Sequence, residues 1–340
     1  MCHGRLRRMR PSAIAGLAII LTIGAGTASA LIEHALEVRD AARLTANDSF
    51  YSARGRRIRY FHTGAGAPGP TAVLISGSTA SLEQWDDIQA SLSTIMPVVS
   101  YDRSGTGFSD PPDAYDAKAG AEELDQLLHS PGIARPFVIV SFSSSSNLAV
   151  VFGAQHPDAV KGMVFVDPSV RSPAPGTKSY RRIYWRLIVA GPIAAFFGYT
   201  RLKSHIVGDG GSLPASPISD RWHAINSSTH HWLATARDAM NLDASADEAA
   251  SIIATRPFAH LPVGILTSAD PTAGEYVRAV FYQQQQLAAG SDQSIIRVVH
   301  VEHTQFMRDP AAITSIIDLI RSISEVAHSK PTADADRAAP

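Results

Sequence analysis

Cysteine is nearly missing from this chain: among 340 residues only Cys2 is one. That excludes an intramolecular disulfide framework and a multi-cysteine zinc site. It also leaves everything after position 2 without a thiol, so the body of the protein has no cysteine nucleophile. Net charge is equally scant, with 30 Lys+Arg against 31 Asp+Glu. The near-balance hides an uneven distribution. The first ten residues carry Arg5, Arg7, Arg8 and Arg10 and no acid, which leaves 26 bases against 31 acids on the remainder. Such a body lacks the clustered positive charge that binds phosphate, which argues against a nucleic-acid surface. Hydrophobics at 45% and charged residues at 18% point to a globular protein rather than a disordered tail or a coiled coil.

What the N-terminus does have is an uncharged run from Pro11 to Ile32 behind the four arginines. A basic end followed by an apolar stretch has the form of an export signal, with the basic end held in the cytoplasm. The run exceeds the roughly 7–15 residues of a signal core and matches the roughly 20 that span a bilayer. An uncleaved anchor is therefore expected, with residues 33–44 carrying a helix outward as a stalk. Ala28-Ser29-Ala30 has the small-x-small form of a cleavage site, so secretion after cleavage near Ala30 is the alternative. Gly24 and Gly26 are placed to break the helix before it. Both outcomes put the body outside the cytoplasm.

From about Asn47 short apolar runs alternate with helical patterns. Ser49–Ala53 and Arg56–His62 read as strands of a hairpin around Arg54-Gly55. Further runs at Ala72–Ile75, Val98–Tyr101, Phe137–Val140, Gly162–Val166, Val263–Thr267 and Ile295–Val299 are separated by helix-like stretches. This alternation predicts an α/β fold: a mostly parallel central sheet with helices on both faces. Residues 170–256 hold no clear strand and read as a helical cap insertion over the sheet. The expected organisation is signal-anchor and stalk over 1–46, the α/β domain over 47–326, and a disordered tail over 327–340.

The segment Phe137–Pro157 (FVIVSFSSSSNLAVVFGAQHP) carries the most chemical information. An apolar strand runs through small residues directly into an apolar helix, as a nucleophile elbow requires. The usual elbow reads G-x-S-x-G, whereas this one reads Ser141-Phe142-Ser143-Ser144-Ser145. Serine in a left-handed conformation costs roughly 1–2 kcal/mol. The competing reading is a serine-rich loop whose hydroxyls merely cap the next helix.

Distant segments favour the elbow. Tyr101-Asp102-Arg103-Ser104-Gly105-Thr106-Gly107-Phe108-Ser109 resembles the D-x-x-G-x-G-x-S loop of the α/β-hydrolase superfamily. Ser76-Gly77-Ser78 stands where that family has His-Gly-x, with Trp85 at the usual distance beyond. The likeness runs from about Ser49 to Glu325. Anchor, stalk, hairpin and Gly198-Tyr199-Thr200-Arg201 are similar to a group of bacterial membrane-anchored hydrolases.

The resemblance implies an α/β-hydrolase fold and a triad in the chain order Ser, Asp or Glu, His. Ser143 would be the nucleophile and His303, seven residues before Pro310, the base, with His300 its nearest competitor. Asp270, at the end of the seventh strand run, would be the acid, with Asp167 after the sixth as the alternative. The oxyanion hole would use main-chain N–H groups of Ser144 and Ser78. His230 and His231 read as surface or packing residues. No cofactor or metal is expected: Gly105-Thr106-Gly107 lacks a P-loop lysine, and His300/His303 lack further ligands.

A serine at the elbow argues against the dehalogenase and epoxide-hydrolase branches, which use aspartate there. The implied activity is extracytoplasmic hydrolysis of carboxylic esters on a small-molecule substrate with an apolar part. The cap stretch Tyr184–Tyr199 suggests that apolar part, contact with the bilayer, or simple packing. The competing function is a catalytically silent binding protein, motivated by the missing elbow glycines and the missing histidine at Ser76.

Overall fold

The apolar runs of the sequence become eight strands of one sheet. They are β1 Ser49–Ala53, β2 Arg56–Thr63, β3 Thr71–Ile75, β4 Val98–Tyr101, β5 Phe137–Phe142, β6 Val160–Val166, β7 Pro262–Thr267 and β8 Gln293–Val298. The computed structural model describes residues 11–53, 55–169, 178–207, 217–268 and 275–329. The strand order is β1-β2-β4-β3-β5-β6-β7-β8. β2 runs antiparallel to β1 and β4, and every other pairing is parallel.

Side chains alternate across each central strand. Val73 and Ile75 of β3 and Ile139 of β5 enter one core cluster, while Ala72, Leu74 and Val140 enter the other. Both faces are covered, which is why these strands read as unbroken apolar runs. Helices α2 Asp86–Leu92 and α11 Pro310–Ser329 cover one face through residues such as Ile88, Ile316 and Ile323. Helices α3 Ala117–Leu128 and α4 Ser146–Gln155 cover the other through Leu124, Leu127 and Phe152. The last helix runs to Ser329, so positions 327–329 are helical rather than tail. The rest of the expected tail lies outside the described residues.

The insertion is helical where described: α5 Lys178–Trp185, a π-helical turn Arg186–Ala190, α6 Gly191–Phe196, α7 Tyr199–Val207, α8 Pro217–Ser227 and α9 Thr229–Ala254. It is not purely a cover over the sheet. The 26 residues of α9 descend from it, so that Ala249 joins the core cluster together with Leu287 of α10 Glu275–Ala289.

At the N-terminus a single helix, α1 Pro11–Leu44, runs unbroken through Gly24 and Gly26. Its second half lies against the cap. Arg201 of α7 donates to Glu33 (Nε to Oε2, 2.9 Å) and to Asp40 (2.7 Å), and Glu37 accepts from Ser228 (2.5 Å).

The edge of the sheet next to the site is held by charge. Arg59 of β2 is fully buried between Asp48 (2.6 Å), Glu83 (2.5 Å) and Asp102 (3.0 Å). Its guanidinium lies 5.0 Å from the ring centroids of both Phe61 and Phe108. Asp102 also accepts from the N–H groups of Leu82 and Phe108, which folds the loop after β4 into a tight turn. Gly107 has φ +54, and a β-carbon there would collide with the Asp102 carboxylate. This aspartate–glycine motif is thus structural, and its work is to shape the floor beside the elbow.

Candidate active site

The site is built at the C-terminal ends of β3, β5, β6 and β8, where loops leave a parallel sheet on one side. β5 ends at Phe142 and the chain turns at Ser143 through a short 3-10 segment, Ser143–Ser145, into α4. Ser143 takes φ 58, a left-handed conformation that a non-glycine residue holds only when its surroundings enforce it. The enforcement is visible: Ser145 Oγ donates to the carbonyl of Ile75 (3.1 Å) on the neighbouring strand.

The departure from the usual glycines has a simple resolution. Ser145 sits at φ −66, ψ −7, an ordinary helical conformation, and Ser141 lies within β5 without positive φ. Neither position needs glycine's conformational freedom. Their hydroxyls bond inward instead, Ser141 Oγ lying 3.3 Å from Ser146 Oγ.

His303 lies at the start of a 3-10 turn beyond β8 and stacks on Phe142, with centroids 4.8 Å apart and planes inclined by 17°. Its Nε2 is 3.0 Å from Ser143 Oγ, and its Nδ1 is 2.5 Å from Asp167 Oδ2. His300 is exposed near the end of β8. Among the described residues the carboxylate facing His303 is Asp167, the alternative, which follows β6. Asp270 lies outside the described residues. β6 sits directly beside β5, the strand that leads to Ser143, which puts its tip within reach of the loop that carries His303. Asp167 is itself at φ 41 and buried. Burial alone would raise its pKa. The hydrogen bond and charge of His303, with the N–H and hydroxyl of Ser268 (both 2.9 Å), outweigh that and hold it below the ordinary carboxylate range.

On the other side of Ser143 lies the loop after β3. A β-carbon on Gly77 would stand 3.0 Å from the Phe142 ring and 3.4 Å from Ser143 Cβ, so glycine permits this close approach. Ser78 Oγ hydrogen-bonds Ser144 Oγ. Ser76, buried where a histidine was expected, closes the loop by donating to the Ser81 carbonyl (2.8 Å).

Four successive carbonyls of this loop are held from outside it. Arg103 donates to Ser76 and Gly77 (both 3.2 Å), Thr235 to Ser78 (3.3 Å) and His231 Nε2 to Thr79 (3.4 Å). Arg103 is in turn bound to Asp238 of α9 (2.7 Å). His231 accepts from Gly107 N at Nδ1 (3.2 Å), which leaves its proton on Nε2. Burial, with the neighbouring charges of His230 and Arg103, lowers its pKa to about 4, so it is neutral near pH 7. This histidine is a packing residue with a definite role. Nothing local in the sequence marks it, because its partners are more than 120 positions away.

Beside Ser78 and Ser144 is a pocket of about 50 Å³ lined by mostly polar residues, including Arg103, Tyr115, Asn147 and Asp238. The apolar cap stretch does not line it. Ile183, Trp185, Ile193 and Phe196 are exposed instead.

Comparison with known proteins fits this architecture. The sequence model of the Alpha/beta hydrolase family matches residues 72–315. Among curated proteins, the uncharacterized protein YqjL of Bacillus subtilis (strain 168) is 29% identical over 113 residues, 32% of this chain and 45% of that protein. An AB hydrolase superfamily protein of Gibberella zeae is 30% identical over 103 residues, 29% of this chain and 32% of that protein. The chain thus spans less than half the length of either relative. The solved N-formylmaleamic acid deformylase of Pseudomonas putida superposes with a TM-score of 0.60 at 16% identity, covering 80% of this chain and 100% of that one. For the Cif epoxide hydrolase of Acinetobacter nosocomialis the values are 0.61 and 16%, with 84% and 96% covered. At such identities the likeness speaks to the fold alone. A family match that runs from β3 into α11, on a sheet of this order with an elbow at Ser143, shows that the chain belongs to the alpha/beta hydrolase family.

Proposed function

We propose that this protein is a serine hydrolase that cleaves carboxylic esters outside the cytoplasm, with Ser143, His303 and Asp167 as its triad. The observation that carries the reading is His303 bridging Ser143 Oγ and Asp167 Oδ2 at 3.0 and 2.5 Å. Asp167 takes the place first assigned to Asp270. Ser143 Oγ attacks the ester carbonyl carbon as its proton passes to His303 Nε2. The tetrahedral intermediate then breaks its C–O bond, and the alcohol leaves with that proton. Water adds to the acyl-enzyme with His303 as base, and the carboxylic acid departs as Ser143 regains its proton.

The oxyanion is assigned to the N–H groups of Ser144 and Ser78. Ser144 lies in the first helical turn, where N–H groups lack intrahelical partners and anions are favoured. For Ser78 the support is indirect. In a planar trans peptide the carbonyl of Gly77 and the N–H of Ser78 point in opposite directions. Arg103, by holding that carbonyl, fixes where the Ser78 N–H aims.

A silent binding protein is the weaker reading. Its motives were the missing elbow glycines and the missing histidine, and Ser145, Ser141 and Ser76 answer both with ordinary conformations and bonds of their own. A fluorophosphonate probe on the folded protein tests the choice. Labelling that disappears in Ser143→Ala and weakens in His303→Ala supports the hydrolase, and absence of labelling in the natural chain rejects it.

For location, α1 contains an 18-residue window apolar enough to cross a bilayer. Retention as an anchor is supported by contacts within and just beyond the Ala28-Ser29-Ala30 sequence. Ser29 Oγ donates to the Phe197 carbonyl (2.8 Å), and Glu33 binds Arg201.

A further inference from the structure

The contact between α1 and the cap does more than fasten a stalk. Phe197 reaches Gly26, where an added β-carbon would lie 3.4 Å from its ring, and Ser29 bonds its carbonyl. Gly26 lies seven residues before Glu33, the first acid after the apolar run. At 1.5 Å per residue that is about 10 Å along the helix axis, toward the bilayer side of the charge boundary. If α1 carries its apolar run through the membrane, the α6–α7 corner is drawn down beside it.

The surface of that corner suits such a position. Ile193, Phe196, Tyr199, Leu202 and Ile206 are each about half exposed or more, the largest being Ile206 at 72%. Among monomeric proteins an apolar patch of this kind marks a partner or a membrane. Residues 178–207 contain six bases, Lys178, Arg181, Arg182, Arg186, Arg201 and Lys203, and no acid. Arg201 is taken up by Glu33 and Asp40, while Arg181, Arg182, Arg186 and Lys203 are exposed. Exposed apolar side chains accompanied by exposed cations match an interface of acyl chains below anionic headgroups. Between α1 and the corner lies a cleft of about 630 Å³. Ile23, Gly26, Ala30 and Phe196 line one part of it, and His34, Glu37 and Thr229 another.

We infer that the α6–α7 corner of the cap is embedded in the bilayer beside α1, with the cleft between them filled by lipid acyl chains. The inference rests on the anchor reading above. The cap would then be half scaffold of the active site and half membrane surface, placing the site at the lipid–water boundary.

The test uses the full chain in vesicles of phosphatidylcholine and phosphatidylglycerol. In a Cys2→Ser background, single Ile193→Cys and Tyr282→Cys variants are labelled with an environment-sensitive NBD dye. Tyr282 is exposed on α10 and serves as the aqueous control. The expected result is blue-shifted emission at position 193, quenched by lipids brominated in their chains, and water-like emission at position 282. A water-like signal at 193 in a chain that resists alkaline carbonate overturns the inference alone. Release of the chain by carbonate overturns the anchor and this inference with it. Ile193→Glu with Phe196→Glu adds an independent reading. Loss of activity on a vesicle-borne ester, with a soluble short ester cleaved as before, supports embedding, and equal activity on both contradicts it.

Discussion

Exchanging Asp167 for asparagine should lower kcat by about 10⁴-fold, because the amide cannot hold His303 in the tautomer that accepts the serine proton. Asp270→Asn should leave kcat near that of the natural chain, and steady-state kinetics on one soluble ester distinguishes the two carboxylates. Both follow a strand run in the sequence, so position along the chain ranks them poorly. The choice depends on which strand tip stands beside β5. Restoring the familiar glycine at position 145 should not raise activity. Ser145→Gly removes the bond to Ile75 and frees a helical residue, at a combined cost of about 1–2 kcal/mol, read as a lower unfolding midpoint in urea. Ser143 and His303, which the fold brings to 3.0 Å, were both singled out by their flanking patterns. That Asp167 faces His303 was not legible, since an aspartate at a strand end looks the same whether it caps a helix, enters a cap or faces a histidine.

At the scale of elements, α9 joins the cap, the loop after β3 and the core. Arg103→Met should reduce kcat by up to about 10²–10³-fold, the range for losing one oxyanion donor. KM should change little, and fluorophosphonate labelling should slow in parallel. His231 gives the same contact a pH dependence. Its pKa falls from 6.5 unfolded to about 4 folded, so the unfolded chain binds a proton that the folded chain refuses. Stability from this group is full above pH 6.5 and declines as pH falls toward 4, by roughly 3 kcal/mol in all. Asp86 acts in the opposite sense. Burial and the charge of Glu83 raise its pKa to about 7, so it costs stability as pH rises toward that value. The comparison must therefore be between chains: His231→Gln should flatten the natural protein's decline between pH 6.5 and 4 in chemical denaturation. That helices lie between the strands and fill the insertion was readable from the sequence. That α9 leaves the cap for the core was not, because an apolar face does not state which partner it meets.

For the whole molecule, the ion cluster of Arg201 with Glu33 and Asp40 joins α1 to the cap, all three side chains being largely shielded. Arg201→Met would strand the shielded Glu33 and leave Asp40 with Arg39, a loss of about 3–5 kcal/mol. It should appear as new protease sensitivity within residues 33–44, with the fluorophosphonate reaction at Ser143 intact. The sequence by itself determined the alternation that makes a parallel sheet, the elbow, the family, and an apolar run long enough for a bilayer. Each of these is a local pattern of size, polarity and spacing. Only the tertiary structure decided that Asp167 faces His303, that serine serves where glycine was expected, and that the stalk lies against the cap. Those outcomes are set by contacts between residues tens to more than a hundred positions apart, and by backbone angles that the neighbouring strands impose.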